Sequence, residues 1–148
     1  MAPVVVCDSS ILIATVLDEK ISDNAKAILN HWMQQSFQLA APLLFRYEII
    51  AVTRKAVHQK RIQPERGLAI RDNLLAYPVE LYFDDSLLKR AYELTGQFNR
   101  PTAYDTQYLT VAERLNCAFW TADERLYNAV REAFSWVQWV GNSEIGPG

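Results

Sequence analysis

Val4-Val5-Val6-Cys7, followed at once by Asp8-Ser9-Ser10, constrains the fold more than any other stretch of this chain. Three β-branched residues and a cysteine, with no polar alternation, suit a strand covered on both faces. Three residues of the helix-capping type follow, and a short helix is expected over Ile11 to Leu17. A strand that passes straight into a helix is how a parallel α/β sheet begins. The rest of the sequence keeps that alternation. Helices are expected over Ile21 to Gln34, Leu43 to Lys60, Pro64 to Tyr77, Asp85 to Phe98, Thr102 to Leu115 and Asp123 to Val130. Strands are expected over Phe37 to Ala41, Val79 to Phe83, Cys117 to Thr121 and Trp136 to Val140. Short strands alternating with helices make a parallel sheet with both faces covered, and ligands of such sheets gather beyond the carboxyl ends of the strands.

Size and composition agree. With 148 residues, 50% of them apolar, the chain can bury a full core as one domain, with a core of about 4–140 and a flexible tail from Gly141. No apolar run approaches the ~20 residues of a membrane span. The opening MAPVVVCDSS lacks a basic leader region, so a cytoplasmic protein with reduced Cys7 and Cys117 is expected. A net charge of −2 argues against nonspecific polyanion binding. Gly67 and Gly96 are isolated, which excludes a glycine-rich phosphate loop. The two histidines, His31 and His58, lie on polar helix stretches and complete no nucleophilic triad. A phosphoaspartyl phosphatase needs a second Asp two places after the first, and here Ser10 stands there.

Four acids remain. Asp8 closes the first strand and, taken alone, caps the helix after it. Thr102-Ala103-Tyr104-Asp105 and Thr121-Ala122-Asp123-Glu124 each fit a capping box, with Asp123 in a first helical turn. Glu48 is different. Its neighbours three and four residues away are Leu44, Phe45, Ala51 and Val52, all apolar. Burying a carboxylate there is unfavourable unless it is paired, protonated or bound to a cation, and Glu48 alone does not choose. The set of four shifts the balance. Asp8 and Asp123 follow strands of one parallel sheet and open on the same edge, and Asp105 begins the helix before Asp123. Carboxylates gathered in this way repel one another, and a hard divalent ion relieves the repulsion. All-oxygen donors select Mg2+ or Mn2+ over zinc, and such ions serve phosphoryl chemistry.

In order and spacing, the strand into Asp8-Ser9-Ser10, Glu48 in a long helix, Tyr104-Asp105 with Tyr108-Leu109 and Ala112, and Thr121-Ala122-Asp123 with Arg125-Leu126 resemble the PIN-domain nucleases, in particular the VapC-type toxins of toxin–antitoxin pairs. The likeness runs from Val4 to Val140 and is loosest at Asn99-Arg100-Pro101 and Thr106-Gln107. It implies a three-layer α/β/α fold with a five-stranded parallel sheet. It also implies an Mg2+- or Mn2+-dependent endoribonuclease in which Asp8, Glu48 and Asp105 are the core acids and Asp123 the more variable fourth. Ser10 and Thr121 match supporting hydroxyls. Homodimers and an antitoxin partner are implied as well.

An acidic pocket needs a basic rim to meet RNA. Arg54, Lys55, Lys60, Arg61, Arg66 and Arg71 form the densest basic stretch, read either as a solvated helix face or as a phosphate-tracking rim. The tryptophans Trp32, Trp120, Trp136 and Trp139 are expected in the core or an interface. A housekeeping RNA-processing nuclease, a PIN-like module that binds nucleic acid or protein without cleaving, and a metal-dependent phosphatase are the alternatives. A costly acid cluster speaks against the second, and Ser10 against the third.

Overall fold

The structure, a computed structural model, describes residues 2–142. Within them lie five strands, β1 (Val4–Cys7), β2 (Gln38–Pro42), β3 (Val79–Tyr82), β4 (Phe119–Thr121) and β5 (Val137–Trp139). Seven helices connect or flank them: α1 (Ser9–Ala14), α2 (Ser22–Gln34), α3 (Leu44–His58), α4 (Pro64–Leu75), α5 (Asp85–Gln97), α6 (Asp105–Leu115) and α7 (Glu124–Val130). All strand pairings are parallel, in the order β3-β2-β1-β4-β5. The chain therefore lays strands outward from β1 on one side, then crosses back to build β4 and β5 on the other.

β1 occupies the centre, as its unbroken apolar run demands. Successive strand residues point to opposite faces, and Val5, Val6 and Cys7 are all buried, so both faces are covered. α6 lies against β1 and β2 and buries Thr106, Tyr108, Leu109, Thr110, Val111 and Ala112. α3 and α4 pack so closely that a β-carbon on Gly67 would collide with Val57 Cγ2. Trp32 is buried and meets Trp120 edge-on at 6.1 Å, while Trp136 stacks on Phe134 and Trp139 on Tyr127. The tryptophans thus belong to packing. Although its helix stretch is polar, His31 is half-buried and tilts against Phe37. Cys7 is buried and Cys117 half-buried, and both are free thiols.

Most element ends fall within a residue or two of expectation. Two differ for a physical reason. The first helix occupies Ser9–Ala14, because Asp8 itself accepts the Ser10 N–H and starts it early. The helix expected from Thr102 begins at Asp105, so Thr102 caps nothing and the proposed box is not formed. The helix ends have a shared device. Residues Ser36, Lys60, Asn99 and Asn116 all have left-handed backbone angles without being glycine. After α2, Ser36 N–H reaches Met33 O and Phe37 N–H reaches Trp32 O; after α5, Asn99 reaches Gly96 and Arg100 reaches Thr95. These are Schellman closures, which satisfy the last carbonyls of a helix. Of the tail expected from Gly141, Asn142 still donates to Trp139 O, and residues 143–148 lie outside the described residues.

A side chain in the left-handed region is disfavoured by about 1–2 kcal/mol. Ser36 is exposed, so replacing it disturbs no packing. Ser36→Gly is expected to stabilise the chain by about 0.5–1 kcal/mol, part of the gain being lost to the freer unfolded chain. The gain would be read as a higher urea midpoint at unchanged slope. An unchanged or lowered midpoint would contradict the strain assigned here.

Candidate active site

The register of the central strands builds the site. Val6 pairs with Phe119 and Cys7 with Trp120, and Asp8 N–H donates to Trp120 O at 3.0 Å. Asp8 and Thr121 therefore emerge side by side at the carboxyl edge, between β1 and β4, where the chain's winding reverses. Thr121 Oγ1 donates to Asp8 Oδ2 at 2.9 Å, and Ser10 N–H donates to Asp8 Oδ1 at 3.1 Å. Asp8 is 8% exposed and has only neutral donors around it. Burial pushes its carboxyl up to about 7, helped by the charges of Glu48 and Asp105 and opposed by the bonds from Ser10 and Thr121.

Glu48 reaches the same place from the second turn of α3. Ser9 Oγ donates to Glu48 Oε1 at 3.1 Å and lies 3.4 Å from Asp8 Oδ1, so one hydroxyl spans both carboxylates. The Tyr108 hydroxyl, carried by α6, donates to the same Glu48 oxygen at 2.5 Å. Burial raises the Glu48 carboxyl too, the bonds from Tyr108 and Ser9 hold it back, and Asp105 adds repulsion. Tyr108 is almost fully buried. Its phenol is pushed well up by burial and by Asp8 and Glu48, so it stays a donor. No Arg or Lys pairs with Glu48 among the described residues. Ala51, on the expected apolar stripe, is exposed, which places Glu48 at the rim of the core and not within it.

Asp105 stands at the first position of α6 and accepts from Arg100 at 2.9 Å. Asp123 is the N-cap of α7, accepting from the N–H groups of Arg125 and Leu126. Its own N–H donates to Thr121 Oγ1, which links it to Asp8 through one hydroxyl. Ser10 Oγ accepts from Ala122 N–H and so ties α1 to the β4–α7 turn.

Asp8, Glu48 and Asp105 thus stand within reach of one another's charge. Yet among the described residues no three His, Cys, Asp or Glu side chains close into an ion cage. Asp8 and Glu48 share the Ser9 hydroxyl, Asp105 pairs with Arg100, and Asp123 caps a helix. The donor chemistry suits a hard divalent ion, since Asp8 and Glu48 are carboxylates sharing a hydroxyl, and no Arg or Lys pairs with either among the described residues. Three residues now show a part that the sequence reading did not give them: Ser9, Tyr108 and Arg100. A buried tyrosine hydroxyl needs a partner, and Tyr108 one helical turn after Asp105 was the signal available for it.

The sequence matches the PIN domain over residues 5–132. The chain belongs to the PIN domain family. Its fold also resembles the crystal structure of PAE2754 from Pyrobaculum aerophilum, with TM-score 0.67, 18% identity, and coverage of 95% of this chain and 92% of that one. At that identity the likeness speaks for the fold. No curated protein matches the sequence. PIN domains are in general metal-dependent nucleases, and they generally use divalent ions. No helix among the described residues is long and apolar enough to cross a membrane.

The buried Asp8 makes a prediction with a definite sign. Its folded pKa, about 7, lies above the ordinary 3.8, so the folded state holds an extra proton between those values. With a chelator present, stability should fall as pH rises from about 4 to about 7, and Asp8→Asn should remove a large part of that fall. The relief near neutral pH is expected to be on the order of 1–3 kcal/mol by urea denaturation. Identical pH profiles for the two proteins would show that Asp8 is not held in this way.

Proposed function

We propose that this PIN domain is an endoribonuclease dependent on Mg2+ or Mn2+, and the toxin of a toxin–antitoxin pair acting in the cytoplasm. The observation that carries the catalytic part is the Ser9 hydroxyl spanning Asp8 and Glu48, within reach of the charge of Asp105, with no Arg or Lys side chain paired to either among the described residues. The preference for RNA, the toxin role and the antitoxin partner rest on the resemblance to VapC-type toxins.

In this reading Asp8 and Asp105 would hold the ion, and Glu48 and Asp123 would contribute through water. When bound, the ion polarises a phosphate and lowers the pKa of a water. Ser9 and Tyr108 both donate to Glu48 Oε1. Oε2 accepts nothing among the described residues, and it is the atom that takes a proton from the attacking water. The buried Tyr108, stacked near Phe119, keeps that carboxylate from swinging away. Thr121 and the Ser10 N–H fix both oxygens of Asp8. In-line attack leaves a 5′-phosphate and a 3′-hydroxyl.

The basic rim separates into parts. Arg66 donates to Val16 O and Arg71 pairs with Asp72, whereas Arg54, Lys55, Lys60 and Arg61 are exposed and form no ion pair among the described residues. Lys55 lies seven residues beyond Glu48 on the same helix face, about 10 Å along α3, and is the best placed to meet a phosphate. Arg54 instead lines the groove between α3 and α4.

A homodimer is supported by an apolar groove of about 390 Å3 beside the site, where Tyr47, Phe83 and Leu88 are all more than half exposed. A soluble chain rarely leaves such a surface uncovered.

Cleavage of a labelled RNA panel in Mg2+ or Mn2+ tests the activity. Asp8→Asn and Asp105→Asn are each expected to slow it by about 100-fold or more. Cleavage that persists in both variants, or is absent with every ion and RNA, rejects the nuclease reading. Light scattering tests the assembly: Leu88→Asp should convert a dimer to a monomer, and a wild-type monomer at high concentration would remove the dimer proposal.

A further inference from the structure

We propose that Arg100 is the built-in counter-cation of the acidic site, competing with the divalent ion for Asp105 and so setting the ion concentration at which the site fills. This rests on the reading of Asp8 and Asp105 as ion ligands.

Five ion pairs join the described residues, and only one involves a member of the acid set: Arg100 with Asp105, at 2.9 Å. The others, Arg71–Asp72, Arg90–Glu93, Arg90–Glu113 and Arg114–Asp84, involve none of the four acids. Arg100 is also the less exposed partner of its pair, at 21% against 35% for Asp105. Surface ion pairs between mobile side chains contribute little. A pair half withdrawn from water beside further carboxylates is a stronger interaction, because the charges around it are poorly screened.

The backbone aims this side chain. Asn99 takes the left-handed angle at φ 49°, Asn99 N–H closes on Gly96 O, and Arg100 N–H closes on Thr95 O at 2.8 Å. Arg100 is thus the last residue of a Schellman closure, and Pro101 restricts the backbone immediately after it. Five residues on, α6 begins at Asp105. The turn fixes the backbone of Arg100 and α6 that of Asp105, which sets the two residues across a short loop from each other.

The electrostatic consequence follows from the neighbours. Asp105 raises the carboxyls of both Asp8 and Glu48, so its charge reaches both of those acids. Arg100 offsets part of that charge at one carboxylate only. A dication held by Asp105 must either displace the guanidinium from Oδ2 or bind beside a like charge, and both weaken its binding. A purely structural Arg100 would have the opposite signature: its loss would disorder Asp105 and loosen the ion.

Calorimetric titration of Mn2+ into the intact chain separates these cases. The wild type is compared with Arg100→Gln, Arg100→Ala, Arg100→Lys and Asp105→Asn, each checked for folding by circular dichroism. Arg100→Gln and Arg100→Ala should bind Mn2+ about tenfold more tightly, while Arg100→Lys, which keeps the charge, should stay near the wild type. Asp105→Asn should bind weakly. In chelator the Arg100→Gln protein should melt below the wild type, and saturating Mn2+ should close the gap. Two neutral variants guard against one that does not fold. Mn2+ binding by the wild type with equal or weaker binding by both neutral variants overturns the role given to Arg100. No Mn2+ binding by the wild type overturns instead the reading of the acids as ligands, on which the role depends.

Discussion

The carboxylate of Asp8, buried at the end of the central strand, is the constraint around which the rest of the site is arranged. β1 is covered on both faces, so whatever follows Cys7 emerges at the sheet edge already short of water. A carboxylate there must collect hydrogen bonds or be neutralised. It collects them from Ser10 N–H and the Thr121 hydroxyl, and it still titrates near 7. Those donors are where they are because β1 and β4 pair in parallel with Cys7 opposite Trp120. Register, helix start and acid position are therefore one arrangement.

Around Asp8 the acids are held by different means. Glu48 is held by two hydroxyls on one of its oxygens, Asp105 by a guanidinium and Asp123 by the backbone of its own helix. Hydroxyls orient a carboxylate without cancelling its charge. A guanidinium orients it and cancels the charge as well. That difference separates a carboxylate that can accept a proton from one that must first be released, and it is the chemical distinction within a set of residues that look alike in the sequence.

Much of the fold was legible because it rests on local pattern. Val4 to Cys7 reads as a covered strand and Pro64 as a helix start, and each lies where expected. The helix ends were harder, since Ser36 and Lys60 occupy positions where glycine would have been a signal. The capping box at Thr102 misled for a related reason. Its residue types fit, but Asp105 has a stronger partner in Arg100 than the backbone of Thr102 offers. Glu48 stood out because a charge amid Leu44, Phe45 and Val52 needs an explanation. Arg100 stood out only as an uncommon turn residue, and nothing local to it told its direction.

The sequence by itself determined the alternation of strands and helices and the placing of Asp8 and Asp123 just beyond strands. Both follow from hydrophobic runs and turn residues acting over a few positions. Tertiary structure alone decided the distant partners of Glu48 and Asp8. Glu48 takes its bonds from residues 39 and 60 positions away, and Asp8 takes one from a residue 113 positions away. Such partners are chosen by strand register and helix packing, and packing is a property of surfaces brought together, which no short stretch of chain carries alone.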